Sequence, residues 1–296
     1  MAEPGTDLGR VGRVDVIWRL FPGEVDGEVR DLLPTALECH PEVRWVHTAS
    51  AGIDHLADLF SHRPTTILTH SAGVTSIPIA EFVVGCLLHH CKRAAELEEN
   101  QRQRRYQALA LRELADLQVV LFGLGAIATE VSKRLLPFGC RMTAVRRDPS
   151  RPSPKGVSAV YPFSGLIQAC RGADALVLVA PLTNETAGAI GKEALAELAP
   201  ESVLVNVARG GLIDESALLS GLSRGRPRAA YLDAFVDEPL PVNSPLWTAL
   251  GVHLTPHLSW SSPHLARRTS QLFAEQLRRW VTGEPLLNRA DPSAGY

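Results

Sequence analysis

QVVLFGLGAIATEVSKRLLPFG, residues 118–139, is the stretch that decides the fold. After Gln118 it opens on a continuous apolar run to Phe122, the pattern of a parallel strand covered on both faces. Gly123-Leu124-Gly125-Ala126-Ile127-Ala128 follow without a break, and TEVSKRLLPFG reads as a helix. A G-x-G-x-x-G/A turn between strand and helix has a mechanical reading. Gly123 permits the tight turn, Gly125 leaves room for a pyrophosphate to approach the backbone, and Ala128 is small enough for helix and strand to pack closely. The free N–H groups of the helix start, those of Ala126 and Ile127 among them, then face the phosphates. Glycines alone make ordinary turns, and it is the flanking strand and helix that make this one a dinucleotide loop.

The next strand bears on which dinucleotide. A site for NAD carries Asp or Glu at its end, about 20 residues on, to accept from the ribose hydroxyls. Here Met142–Val145 ends in Arg146 and Arg147, and Asp148 sits two positions past the usual place. Guanidinium groups donate only, and suit a 2′-phosphate. NADP(H) is therefore the preferred cofactor, with NAD(H) as the second option.

Short apolar runs of the same kind recur along the chain, at Val14–Trp18, Val43–Thr48, Thr66–Thr69, Ala175–Ala180, Val203–Val207, Ala229–Leu232 and Val252–Thr255, with helical stretches between them. This order predicts an α/β protein with parallel sheets. Residues from Ile79 to about Leu114 differ. They hold no strand signal, begin apolar (IAEFVVGCLLHHC) and turn strongly charged (KRAAELEENQRQRRY), which predicts one long helix with a solvated charged face that links two domains near residue 95.

The 296 residues are enough for two domains, and a net charge of -2 with 21% charged residues gives no footing for nucleic acid or an anionic membrane. No apolar run approaches the roughly 20 residues of a membrane span, and the first residues lack the basic and apolar segments of a secretory leader, so a cytoplasmic protein is expected. Five cysteines, odd in number and without CxxC spacing, predict incidental thiols, with neither a disulfide framework nor a metal site.

In an open parallel sheet, ligands sit beyond the carboxyl ends of the strands. Three successive strands end in polar groups: VLVNVA leads to Arg209, YLDAFVD to Glu238, and VHLTP to His257. Taken singly, these read as a surface charge, a turn residue and an incidental imidazole. Taken together beside a dinucleotide loop they match the needs of hydride addition to a 2-keto acid. Arg209 clamps the carboxylate and carbonyl oxygens with a planar fork, His257 delivers a proton to the developing alkoxide, and Glu238 holds the imidazole in one orientation.

The segments VRWVHTASAGIDHL (43–56), SAGVTSIPIAEFVVGCLL (71–88), VVLFGLGAIA (119–128), APLTNETAGAIG (180–191), VNVARGGLIDESAL (205–218), YLDAFVDEPLP (231–241) and LTPHLSW (254–260), in this order, resemble the D-isomer-specific 2-hydroxyacid dehydrogenases, especially the glyoxylate/hydroxypyruvate reductase branch. The resemblance implies two doubly wound parallel-sheet domains, a Rossmann-type cofactor domain (95–265) inserted in a smaller flavodoxin-like substrate domain (1–94 and 266–296). It implies that Arg209, Glu238 and His257 are catalytic, that the backbone of Ala51, Gly52 and Ile53 meets the substrate carboxylate, and that Val74, Pro181, Thr186, Val207, Ala208 and Asp233 lie along the cofactor. It also implies a homodimer acting on a small 2-keto or 2-hydroxy acid. Two departures stand out. The stretch before Val14 is short, which points to a trimmed substrate domain, and Trp260 stands where the branch often has Gly, either shaping the substrate pocket or packing at the domain interface. A nucleotide-sensing corepressor is the alternative on the same scaffold. Formate oxidation is disfavoured, because that branch pairs its His with Gln and here the partner is Glu238.

Overall fold

The computed structural model describes residues 13–20, 23–25 and 28–292. The first twelve residues, read above for a leader, lie outside them. The chain divides into two compact units, Met1–Thr75 with Ser262–Tyr296, and Ser76–Ser261.

In the first unit, strands β1 (Val16–Arg19), β4 (Trp45–Thr48) and β5 (Ile67–His70) form a parallel sheet in the order β1-β4-β5. A small antiparallel pair, β2 (Gly23–Val25) with β3 (Glu28–Arg30), precedes α1 (Leu33–Cys39), and α2 (Ala57–Ser61) lies between β4 and β5. Nothing in the sequence signals that pair, because three-residue strands are too short to carry a period. The C-terminal helix Leu265–Thr282 belongs to this unit. Its Phe273 stacks on Trp18 at 4.2 Å, and Trp45 packs on both Phe273 and Trp280. Phe273 and Trp280 are seven residues apart, so they share one helix face. The chain then runs back along β5, where the Ala290 N–H donates to Leu68 O at 2.9 Å.

In the second unit, β6 (Gln118–Phe122), β7 (Arg141–Val145), β8 (Val157–Tyr161), β9 (Ala175–Leu178), β10 (Val203–Asn206), β11 (Ala229–Leu232) and β12 (Val252–Leu254) form one parallel sheet in the order β12-β11-β10-β9-β6-β7-β8. The chain moves outward from β6 through β7 to β8, then returns to β9 on the other side of β6. Such a reversal opens a crevice at the carboxyl ends of β6 and β9. β8, whose residues are mostly half-buried, escapes the sequence pattern, because its run VSAVY is interrupted by a polar residue. Helices α3 (Ser76–Cys91), α4 (Ala94–Arg102), α5 (Ala126–Leu135), α6 (Leu166–Cys170), α7 (Lys192–Glu197) and α8 (Glu215–Ser223) cover the faces.

The single long helix from Ile79 to Leu114 does not form. α3 ends at Cys91, Arg93 takes a left-handed conformation (φ 49), α4 closes at Arg102, and residues 103–113 continue without regular structure. The boundary also moves from residue 95 to Ser76. The reason is apolar burial: Ile79, Ala80, Val83, Leu87 and Cys91 enter one core with Val119, Leu121, Val131 and Leu135, which makes α3 part of the second unit. Four of the five thiols are buried, and burial raises Cys86 and Cys170 to about 12, far from the range of a nucleophile at neutral pH.

Candidate active site

The glycine turn has the backbone its sequence demands. Gly123 sits at φ +105, and a Cβ there would lie 2.6 Å from the Ala180 amide nitrogen, so β6 and β9 close on it only because it has no side chain. Gly125 is the opposite case. It precedes α5, and a Cβ there would meet nothing within 4 Å, so the space before the helix is open to a ligand. Ala126 is exposed and Ile127 half-buried at the helix start, while Ala128 is fully buried against the core.

The arginines at the end of β7 are divided. Arg146 is half-buried and donates to the carbonyls of Arg151 and Pro152, closing its own loop. Arg147 reaches Glu185 on the loop after β9, with Nε and Nη2 both 2.8 Å from Oε2. On that loop Thr186 is fully buried; its hydroxyl donates to Pro181 O at 2.7 Å and accepts from the Thr183 N–H at 2.8 Å. The hydroxyl thus holds the loop in shape, and the exposed Pro181 begins it.

The loops after β10, β11 and β12 are tied together. Asn206 is fully buried; its amide donates to Arg209 O (2.9 Å) and accepts from the Ala208 N–H (3.1 Å), folding the buried Val207 and Ala208 into a bend that presents the half-buried Arg209. A Cβ on Gly210 would lie 1.9 Å from the Phe235 carbonyl carbon, so the Arg209 loop rests directly on the loop after β11. The Phe235 N–H donates to Glu238 Oε1 at 2.9 Å, and Glu238 Oε2 lies 2.8 Å from His257 Nδ1. The structure therefore brings Arg209, Glu238 and His257 to one edge of one sheet.

His257 is itself strained, with φ 49. Asp233, fully buried, holds that turn: it accepts from Thr255 Oγ1 (2.6 Å), the Leu258 N–H (2.9 Å) and the Ser259 N–H (3.0 Å). These contacts fill three of the roughly four acceptor positions of a carboxylate, so the residue expected along the cofactor is first the clamp of the His257 turn. Trp260 donates from Nε1 to His257 O at 2.6 Å and packs its ring on the core. A mainly apolar hollow of about 540 Å³, lined by Phe235, Leu240, Trp247, Leu254 and Pro256, has Glu238 and His257 on its wall.

The remaining expected residues lie in the first unit. Ala51 and Gly52 are half-buried on the loop after β4, Ile53 is buried in the core, and Val74 is buried beside Gly73, whose φ is +95. Burial pushes the His70 imidazole below its ordinary value, and the backbone at Ala51 works against that shift. Sequence reasoning missed Asn206, Gly210 and Glu185. Asn206 had a signal, a lone amide closing the apolar run VLVN, whereas nothing local marks Glu185 as a partner of Arg147. Among the described residues, no helix is long and apolar enough to cross a membrane.

Residues 84–259 match the model of the D-isomer specific 2-hydroxyacid dehydrogenase NAD binding domain, more than half of the chain. This chain belongs to the D-isomer specific 2-hydroxyacid dehydrogenase family. A D-3-phosphoglycerate dehydrogenase of Methanocaldococcus jannaschii is 30% identical to it over 294 residues, a match that covers 94% of this chain and 55% of that relative. The chain thus spans about half the length of that relative. A solved member from Xanthobacter autotrophicus, in complex with NADPH and MES, matches with TM-score 0.83 and 31% identity over 98% of this chain and 87% of that one. An NADPH-dependent glyoxylate/hydroxypyruvate reductase of Sinorhizobium meliloti, in complex with NADP and sulfate, matches with TM-score 0.82 and 27% identity over 95% and 99%.

Proposed function

We propose that this family member reduces a small 2-keto acid, of the glyoxylate or hydroxypyruvate kind, to the D-2-hydroxy acid at the expense of NADPH. The observation that carries the reading is the Glu238–His257 pair, 2.8 Å apart, on loops locked to that of Arg209 at the carboxyl edge of the glycine-turn sheet.

The residues fit the cofactor: the open space at Gly125 and the first amides of α5 suit the pyrophosphate, and the guanidinium of Arg147, now paired with Glu185, has the chemistry to take a 2′-phosphate. When bound, NADPH supplies the hydride. Arg209 grips the substrate carboxylate and carbonyl oxygen, which fixes the keto carbon and stabilises charge growing on that oxygen. Ala51, Gly52 and Ile53 are assigned to the carboxylate by resemblance. Glu238 accepts from Nδ1–H of His257, leaving Nε2–H to donate. As C2 gains the hydride, Nε2 gives its proton to the oxygen, and the imidazole is left neutral with its remaining proton on Nδ1. A cytoplasmic homodimer completes the proposal. The relatives named above are reductases and dehydrogenases, which lends nothing to the corepressor alternative.

The test is loss of NADPH absorbance on adding each of a panel of 2-keto acids. Arg209→Ala and His257→Ala should each lower kcat/KM by about a hundredfold to ten-thousandfold with unchanged melting. Full activity in both variants would overturn the assignment.

A further inference from the structure

Two arginines follow β7, yet only one faces outward to another element. Arg146 turns its two terminal nitrogens to the carbonyls of Arg151 and Pro152 in its own loop. Asp148, the nearest acid in sequence, is turned to Ser150 and Arg151. Arg147 alone reaches across, and its partner is Glu185, carried by the loop after β9. In the sheet order β9-β6-β7, those two loops flank the loop that holds the glycine turn. Glu185 thus brings from a different strand the carboxylate that the end of β7 lacks. Its loop is held from within, because the neighbouring Thr186 is buried and bonded to Pro181 and Thr183.

We propose that Glu185 sets the nucleotide preference of this chain, by competing with a 2′-phosphate for Arg147 and by accepting from a 2′-hydroxyl when no phosphate is present. The inference rests on the reading that a nicotinamide dinucleotide occupies the glycine turn. The Arg147–Glu185 pair is about half exposed on both sides, 44% and 55%, and such pairs are weak. A phosphate carrying nearly two charges forms the stronger, bidentate contact and displaces the carboxylate. The displaced Glu185 then repels the phosphate, so it lowers NADP(H) affinity twice over. Toward NAD(H) its sign is reversed, because a carboxylate accepts from ribose hydroxyls as the usual strand-end acid does. The chain therefore accepts both nucleotides, with a preference for NADP(H) held below what Arg147 alone would give.

The experiment is calorimetric titration of the whole protein with NADP⁺ and with NAD⁺, in the wild type, Glu185→Gln, Arg147→Ala and the double variant. Glu185→Gln keeps the side chain's size and should tighten NADP⁺ by about threefold to tenfold while NAD⁺ weakens or stays level. Arg147→Ala should weaken NADP⁺ by at least about tenfold, and adding Glu185→Gln to it should recover less than the single change gains. Binding of both nucleotides with an affinity ratio that Glu185→Gln leaves unchanged, or shifts toward NAD⁺, overturns this inference alone. Absence of binding by either nucleotide to the wild type overturns the functional reading beneath it.

Discussion

The two units differ in where the polar side chains of their central strands gather. In the second, the strands around the glycine turn are apolar and buried, and the polar groups gather past their carboxyl ends: Arg209, Asp233, Glu238 and His257. In the first, polar groups lie inside the sheet. Trp45 Nε1 donates to Thr69 Oγ1 (2.8 Å), Thr69 bonds His47 Nδ1 (2.7 Å), His47 Nε2 bonds Ser71 Oγ (3.2 Å), and Ser71 donates to Thr48 O (3.0 Å). Ser71 gives its only proton to Thr48 O and therefore accepts from His47 Nε2–H. Burial lowers His47 to about 4, so at neutral pH the ring is neutral and its Nδ1 accepts from the Thr69 hydroxyl. A buried, closed chain of this sort is structure, whereas a half-exposed pair such as Glu238–His257 is chemistry.

The sharpest way to break this contrast is at the glycines of the second unit. Gly210→Ala drives a Cβ into the backbone of Phe235, which cannot yield like the end of a side chain. Loss of about 3 kcal/mol or more of stability, or a displaced Arg209 loop with activity nearly abolished, is expected in denaturant melts and turnover assays. Gly125→Ala meets open space and should melt within about 0.5 kcal/mol of wild type while dinucleotide binding weakens. If both variants behaved alike, the distinction between a packed and an open glycine would be void.

These two positions also show how far the sequence could be read. The strand-turn-helix signal and the apolar runs placed most of the seven-stranded sheet nearly to the residue, because parallel strands buried on both faces leave little ambiguity. Arg209, Glu238 and His257 were legible for a related reason: a polar group just past an apolar strand stands at the carboxyl edge of the sheet, where ligands bind. What failed lay outside the strand pattern. The charged stretch 92–102 looked like a continuation of α3, since helical propensity says nothing of a left-handed residue such as Arg93. Arg146 and Arg147 are alike in sequence, and only tertiary contacts spend one on its own loop and the other on Glu185. Nor does any local pattern show that Asp233 and Trp260 both bond to the His257 turn.

The buried chain of the first unit yields a smaller effect with a definite sign. Burial, with a lesser contribution from His70, lowers His47 to about 4 against an ordinary value of 6.5. Between those values the unfolded chain binds the proton and the folded one does not. The stabilisation is therefore complete above pH 6.5 and falls as pH drops toward 4. By pH 4.5 the wild type should lose about 2 kcal/mol more than His47→Gln, measured by urea unfolding at pH 7 and pH 4.5. Parallel pH curves for the two proteins would show that His47 is not held neutral by its neighbours.

The smallest expected effect decides what Trp260 does. Trp260→Phe keeps an aromatic ring against the core but removes the N–H that reaches the His257 carbonyl and trims the indole to a single ring. Losing one such bond costs about 1 kcal/mol, or roughly 2–4 °C in melting for a unit of this size. Because the bond braces a residue held at φ 49, its loss should let the imidazole wander, lowering kcat by less than about tenfold with KM little changed. A tryptophan that instead walled the substrate pocket would give the other pattern: KM would rise, and the ranking of 2-keto acids by side-chain size would shift. The split between kcat and KM across a short series of substrates thus separates an indole that positions the catalytic turn from one that reads the substrate.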